Sequence, residues 1–285
     1  MIRAENREGL LAALNRERAA SATGRARIAL VPTMGGLHEG HLALVDRARS
    51  VADQVVMSVF VNPLQFGQGE DYANYPRDLD RDGELAAARG VDLLFAPPVS
   101  ELYPRGDPMV SIVPGLAGDR LCGAHRPAHF RGVLTVVAKL FNIVSPDVAV
   151  FGQKDYQQVA LIRRMVLDLD MPVRIEVVPV IRDHDGLALS SRNAYLSPEE
   201  RLAAGCLYRS LLAAADLFES GERDPRRLCR HAESVIRSEP LARLQYVQLV
   251  EPDSLEEATV AGPGTVLAVA VHIGRTRLID NMVLG

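Results

Sequence analysis

The chain has 285 residues, 48% hydrophobic and 24% charged, with a formal net charge of −4. That length supports a large core in one large or two modest domains. The slight acidity leaves no global field favouring nucleic acid. Three widely spaced cysteines, Cys122, Cys206 and Cys229, argue against a disulfide framework or a zinc cluster and fit a reducing cytoplasm. No apolar stretch is long enough to span a membrane, and residues 1–6 lack the apolar core of a signal peptide. A cytoplasmic location with no membrane or nucleic-acid partner is therefore expected.

In chain order, residues 7–20 read as a surface helix and 26–31 as a buried strand. Val31-Pro32-Thr33-Met34-Gly35-Gly36-Leu37-His38-Glu39-Gly40-His41 then turns into a helix reaching about Ala52, because Leu42, Leu44, Val45 and Ala48 recur at helical spacing. Residues 54–61 form a near-continuous apolar run, as a buried parallel strand requires. A loop from Asn62 to Arg77 leads to a helix over 78–89 and a strand over 91–95. Residues 97–132, dense in Pro, Gly and Arg, predict an irregular excursion with a short strand at 109–113. A helix over 132–144, a strand over 147–151, a helix over 156–168 and a strand over 173–178 complete the alternation.

Strand and helix alternation implies parallel pairing by right-handed crossovers. The fold class is therefore α/β, a Rossmann-like parallel sheet with helices on both faces. After Pro179 the texture changes. Ser197-Pro198-Glu199-Glu200 and Asp224-Pro225 start helices, and apolar strands follow near 245–250 and 266–273. Residues 1–179 are read as the nucleotide- and substrate-binding domain and 180–285 as a smaller C-terminal α+β lid, with polar Arg182–Gly186 as a hinge.

The 31–41 stretch is a strand-to-helix turn, where open α/β sheets bind ligands. Its glycines allow backbone N–H groups to approach an anion, and His38 and His41, three apart, share one side of a helix N-terminus. It is neither a dinucleotide fingerprint nor a P-loop. Asn62 and Gln65 each donate and accept hydrogen bonds, which suits a hydroxyl-bearing carboxylate; Asn-Pro alone is also a good turn. Arg126, His129 and Arg131 precede a helix and oppose its dipole, so they mark either an anion site or a solvated basic loop. Gly152-Gln153-Lys154-Asp155 repeats the strand–glycine–helix pattern, with Lys154 a compact charge for phosphate. Ser190-Ser191-Arg192 pairs hydroxyls with a forked cation. Asp82 reads as a solvated helix face, or as a carboxylate reaching Mg²⁺ through water.

These motifs, in this order over residues 28–281, resemble the pantoate–β-alanine ligases within the nucleotidyltransferase superfamily. The resemblance implies an ATP-dependent ligase that condenses pantoate with β-alanine through pantoyl adenylate, with Mg²⁺ and as a homodimer. It implies that Met34, Gly35, Gly36, Leu37, His38, Glu39, Gly40 and His41 bind ATP. So do Gly152, Gln153, Lys154, Asp155, Ile181, Leu189, Ser190, Ser191 and Arg192. His41, His38 and Lys154 are the catalytic residues by the same likeness, and Gln65, Gln158 and Asn62 the substrate contacts. Metal ligands are not legible. Gln153 stands where the family usually has Glu, which removes one charge. Other readings are a nucleotidyltransferase that leaves the nucleotide on its product, and a nucleotide-binding regulator without catalysis.

Overall fold

The structure, a computed structural model, describes residues 1–20 and 26–285. Nine strands are assigned there: β1 (Ile2–Ala4), β2 (Ile28–Thr33), β3 (Gln54–Val59), β4 (Leu93–Phe95), β5 (Val148–Gly152), β6 (Arg174–Val178), β7 (Ala242–Val250), β8 (Val266–Ile273) and β9 (Thr276–Val283). The α-helices are α1 (Arg7–Ala20), α2 (Glu39–Val51), α3 (Leu79–Ala88), α4 (Val99–Leu102), α5 (Cys122–His125), α6 (His129–Val144), α7 (Tyr156–Asp168), α8 (Pro198–Ala204), α9 (Cys206–Glu219) and α10 (Pro225–Arg237). They fall into two compact units. The first comprises Met1–Gly118, Arg126–Gln153 and Leu161–Pro179. The second comprises Asp119–His125, Lys154–Ala160 and Val180–Gly285.

The first unit is built on a six-stranded sheet of order β1-β4-β3-β2-β5-β6, with every pair parallel. The Val/Ile/Leu runs read as strands are buried on both faces, as a parallel sheet demands; Ile28, Leu30, Val56, Met57, Leu93 and Leu94 are fully covered. The chain winds outward from β2 through β3 to β4, then returns to place β5 on the other side of β2. This reversal is the topological switch point, and β2 and β5 end there.

The second unit carries an antiparallel sheet, β7-β8-β9, with α9 and α10 packed over a core of Leu207, Leu211, Leu228, Ile236, Val269 and Val271. Its helix starts follow from sequence. Ser197 accepts from the Glu200 N–H at 3.2 Å while the Glu200 carboxylate accepts from the Ser197 N–H at 2.9 Å, with Pro198 first in α8. Asp224 caps α10 by accepting from the Arg226 N–H at 2.9 Å, with Pro225 first in the helix.

One expectation is corrected. Residues 109–113 form no strand, and Val99–Leu102 and Cys122–His125 are short helices within the stretch expected to be irregular. The 182–186 segment, expected as a hinge, is braced within the second unit. Arg182 forks onto the buried Asp280 at 2.6 and 3.1 Å and lies 4.0 Å over the Tyr208 ring. Arg201 pairs with both Asp183 and Asp185. The neighbouring His184, first through its side chain and then through its N–H, together with Arg201, holds the Asp183 carboxyl down at about 2. Finally, three-residue β1 has no sequence signal of its own and adds to the sheet edge beside β4.

Candidate active site

In the first unit the turn after β2 is held by a side chain that the sequence does not flag. Asp82 on α3 is 1% exposed. Its two carboxylate oxygens accept from the Gly36 N–H at 2.9 Å and the Leu37 N–H at 2.8 Å. The reading of Asp82 as a solvated face or an indirect metal contact is thus corrected. It is a positioning residue whose hydrogen-bond partners lie about 45 residues away in sequence. Gly35 and Gly36 have φ of +87° and +63°, and a Cβ on Gly35 would stand 2.8 Å from Asp82 Oδ2.

The Gly35 N–H points at Thr33 Oγ1 at 3.3 Å, and the next two N–H groups serve Asp82. Leu37 is 1% exposed, so its side chain belongs to the core. In this arrangement the three amides meet partners within the protein, and the glycines let the chain pass tightly over a buried carboxylate.

The two histidines follow at the head of α2. His38 is the N-cap of α2, and its Nδ1 accepts from the Gly40 N–H at 3.1 Å; His41 Nδ1 accepts from the His38 N–H at 3.4 Å. The rings lie 4.1 Å apart, tilted by 39°. An Nδ1 that accepts carries no proton, so each neutral ring holds its hydrogen on Nε2. Protonating either Nδ1 would cost a cap bond and set a cation against the positive helix end. In their neutral form the two rings thus carry their hydrogens on Nε2 at the N-terminus of α2.

The loop after β3 is ordered from behind. Asn62 is 1% exposed and all four of its hydrogen-bonding positions are engaged. Its Oδ1 accepts from the Leu64 N–H (3.3 Å) and the Tyr103 hydroxyl (2.9 Å). Its Nδ2 donates to Gly132 O (3.1 Å) and Gln65 Oε1 (3.1 Å). Asn62, expected to touch substrate, holds Gln65 in place. Two backbone groups set the Asn62 amide orientation, which commits Gln65 Oε1 inward and turns Gln65 Nε2 toward the soft Met34 Sδ at 2.9 Å. Gln65 thus presents a donor.

The basic cluster before α6 is not an anion site. Arg126 forks onto Glu70 at 2.7 and 2.6 Å. It also meets His129 Nε2 at 3.0 Å and Gln65 O at 3.3 Å. His129 Nδ1 donates to the same Gln65 carbonyl at 2.8 Å, leaving Nε2 to accept from Arg126. Burial pushes the Glu70 carboxyl up, but the Arg126 hydrogen bond and charge outweigh it and hold the group below its ordinary value. Arg131 donates to Ser111 Oγ at 2.7 Å. Arg126 and His129 clamp the loop that carries Gln65.

In the second unit, Lys154 and Asp155 close a short 3-10 turn that Gln153 opens from the first. The buried Asn281 on β9 donates to Lys154 O at 2.9 Å, which anchors the lysine's backbone. The next residue back, Asp280, is lifted by burial and pulled down by Arg182 and, more weakly, by Lys154. Gln157 is buried and straps the 119–125 segment, accepting from the Cys122 N–H at 3.0 Å and donating to Arg120 O at 2.7 Å. Its neighbour Gln158 is half-buried. Ile181 and Leu189 meet across a hairpin, Leu189 N–H to Ile181 O at 2.9 Å. Ser190 caps the turn Ser191–Tyr195 by accepting from the Arg192 N–H at 3.3 Å. Ser191 and Arg192 are half-buried.

Removing Asp82 tests the loop account. Asp82→Asn keeps the shape but points an amide N–H₂ at one of two N–H donors. A stability loss of about 2 kcal/mol is expected, the cost of leaving a buried donor unmet. Urea unfolding midpoints check it, and an unchanged midpoint contradicts the role.

Comparison with known proteins agrees with this layout. The profile of the family described as Pantoate-beta-alanine ligase matches residues 7–283. The pantothenate synthetase of Heliobacterium modesticaldum is 56% identical over 257 residues, covering 90% of this chain and 91% of its own. That of Geobacter sulfurreducens is 54% identical over 258 residues, covering 90% and 91%. The crystal structure of pantothenate synthetase from Thermus thermophilus superposes with a TM-score of 0.92 at 48% identity, over 99% of each chain. The pantoate-beta-alanine ligase of Francisella tularensis, solved as a complex with beta-gamma ATP and beta-alanine, gives 0.79 at 35% identity over 99% and 97%. The chain belongs to the pantoate-beta-alanine ligase family.

Proposed function

We propose that the chain is an AMP-forming ligase that joins pantoate to β-alanine at the expense of ATP. In the first step a pantoate carboxylate oxygen attacks the α-phosphorus of ATP. The P–O bond to the β-phosphate breaks, and pyrophosphate leaves with the electron pair. In the second step the neutral amine of β-alanine attacks the acyl carbon. The C–O bond to AMP breaks, the amine loses a proton, and pantothenate and AMP result.

The observation that carries this reading is the paired His38/His41 Nε2–H donors at the head of α2, at the sheet's switch point, in a chain of this family. Step one builds negative charge on the phosphoryl oxygens and the leaving group. Fixed neutral donors and a helix N-terminus stabilise that charge with no rearrangement. In this reading Lys154 adds a full positive charge, and Ser190, Ser191 and Arg192 hold phosphate. Met34–His41, Gly152–Asp155, Ile181 and Leu189 line the nucleotide. Gln65 donates to a pantoate oxygen, Gln158 holds the same substrate, and Asn62 acts through Gln65.

Mg²⁺ is proposed to arrive with ATP, where it would neutralise phosphate charge. Among the described residues no group of three or more His, Cys, Asp or Glu side chains is arranged to hold a metal. Both oxygens of Asp82 are engaged by backbone. No step is therefore assigned to a protein-held ion. The enzyme is proposed to work as a homodimer, in the cytoplasm, with residues 180–285 as a lid; among the described residues no helix is long and apolar enough to cross a membrane.

Isotope transfer tests the adenylate. Pantoate labelled with ¹⁸O in its carboxylate should yield AMP carrying one ¹⁸O in its phosphate. Label retained in pantothenate and absent from AMP contradicts the mechanism.

A further inference from the structure

The chain has seven methionines. Met57 and Met165 are buried in the core, and Met109 is wholly exposed. Met34 stands apart. It is half-buried in the turn after β2, and its Sδ accepts from Gln65 Nε2 at 2.9 Å. Both residues belong to the first unit. A thioether is a weak acceptor. It gives the Gln65 donor a partner that an arriving substrate oxygen displaces at little cost. The other end of the same amide has no such freedom, because Asn62 Nδ2 holds Gln65 Oε1 at 3.1 Å.

We propose that Met34 is an oxidative modification site, at which peroxide makes a sulfoxide whose oxygen captures the Gln65 amide. A sulfur lone pair attacks one oxygen of hydrogen peroxide. The S–O bond forms as the O–O bond breaks. The departing hydroxide takes the proton from the transferred oxygen and leaves as water. Sulfur is oxidised by two electrons and the peroxide is reduced.

The product differs from the thioether in the property that matters here. Oxidation turns a soft apolar side chain into a polar one, and its oxygen is a far stronger acceptor than the sulfur. The new oxygen stands one bond from the sulfur. Three rotatable bonds in the Met34 side chain let it reach Nε2. Gln65 cannot turn its other end to the oxygen while Asn62 holds Oε1. The donor meant for substrate is then held by the protein itself. The change is reversible: a sulfoxide reductase returns the thioether, with two thiols becoming a disulfide and the oxygen leaving as water. The kinetic consequence rests on the reading that Gln65 donates to pantoate.

The test treats the full chain with hydrogen peroxide and then with dithiothreitol, which restores sulfenic acids on cysteine and leaves methionine sulfoxide in place. Peptide mass spectrometry follows each methionine, and steady-state kinetics follow AMP release. As Met34 gains one oxygen, kcat/KM for pantoate should fall by on the order of 10-fold, the worth of one stronger competing hydrogen bond. The value for ATP should fall less, and a methionine sulfoxide reductase should restore both. Met34→Leu enzyme, compared with its own activity before treatment, should keep that activity even as Met109 is oxidised. Full oxidation of Met34 with unchanged pantoate kinetics overturns the proposal. So does a Met34 that stays reduced while Met109 oxidises, or a Met34→Leu enzyme as peroxide-sensitive as the wild type. Saturating pantoate should slow oxidation at Met34 and leave Met109 unaffected. Equal rates at Met34 with and without pantoate count against the Gln65–pantoate reading and leave the sulfoxide itself standing.

Discussion

Replacing His41 with alanine is expected to lower turnover by on the order of 10²-fold or more, the usual cost of losing a donor aimed at developing charge. Lys154→Ala should do the same, through the loss of a full charge. His38 allows a finer test, because its Nδ1 caps α2 while its Nε2 is the proposed donor to phosphate. Asparagine caps helices well but has no atom where Nε2 stands. His38→Asn should therefore keep the melting temperature within a few degrees and still lose most activity. His38→Ala should lose both activity and about 1 kcal/mol of stability. Equal activity in His38→Asn and wild type would reduce His38 to a capping residue.

Gly132→Ala is expected to disable the site from behind. Gly132 sits in the first turn of α6, and a Cβ there would collide with Leu64 O and stand 2.7 Å from the Gln65 nitrogen. Both are backbone atoms and cannot rotate away. Gly132 O is also one of the two backbone groups that orient the Asn62 amide. Pushing the loop off α6 should break the Asn62–Gln65 bond and loosen the carbonyl held by Arg126 and His129. Overpacking of this kind costs typically 1–3 kcal/mol. A larger fall in kcat/KM for pantoate than for ATP is expected, because Gln65 is assigned to pantoate. Steady-state kinetics with each substrate varied, beside thermal melts, check it; full activity at wild-type stability contradicts the account.

Both tests bear on what the sequence could and could not convey. Apolar periodicity carries the sheet, because a parallel strand is buried on both faces and writes itself as an unbroken run, as at residues 54–59. The histidine turn is legible because strand, glycine and helix spacing are local. Asp82 is not, since on its own helix it resembles any solvated acid, and its partners are the distant Gly36 and Leu37 amides. The Arg126–Glu70 pair hides in the same way, 56 residues apart, so the basic residues before α6 read as either an anion site or a solvated loop when Arg126 already has its carboxylate. Asn62 shows the converse limit. Its residue type suits a ligand, and only its saturated contacts reveal a scaffold. At 109–113 apolar β-propensity reads as a strand, and among the described residues none is assigned there.

The most direct measurement is AMP release from ATP and pantoate in the presence of Mg²⁺, with and without β-alanine, and with the organic product identified by mass spectrometry. The account predicts free AMP in step with pantothenate, sustained only when all substrates are present. Pyrophosphate released without free AMP, with the nucleotide remaining on a stable product, would contradict it and mark the chain as a nucleotidyltransferase.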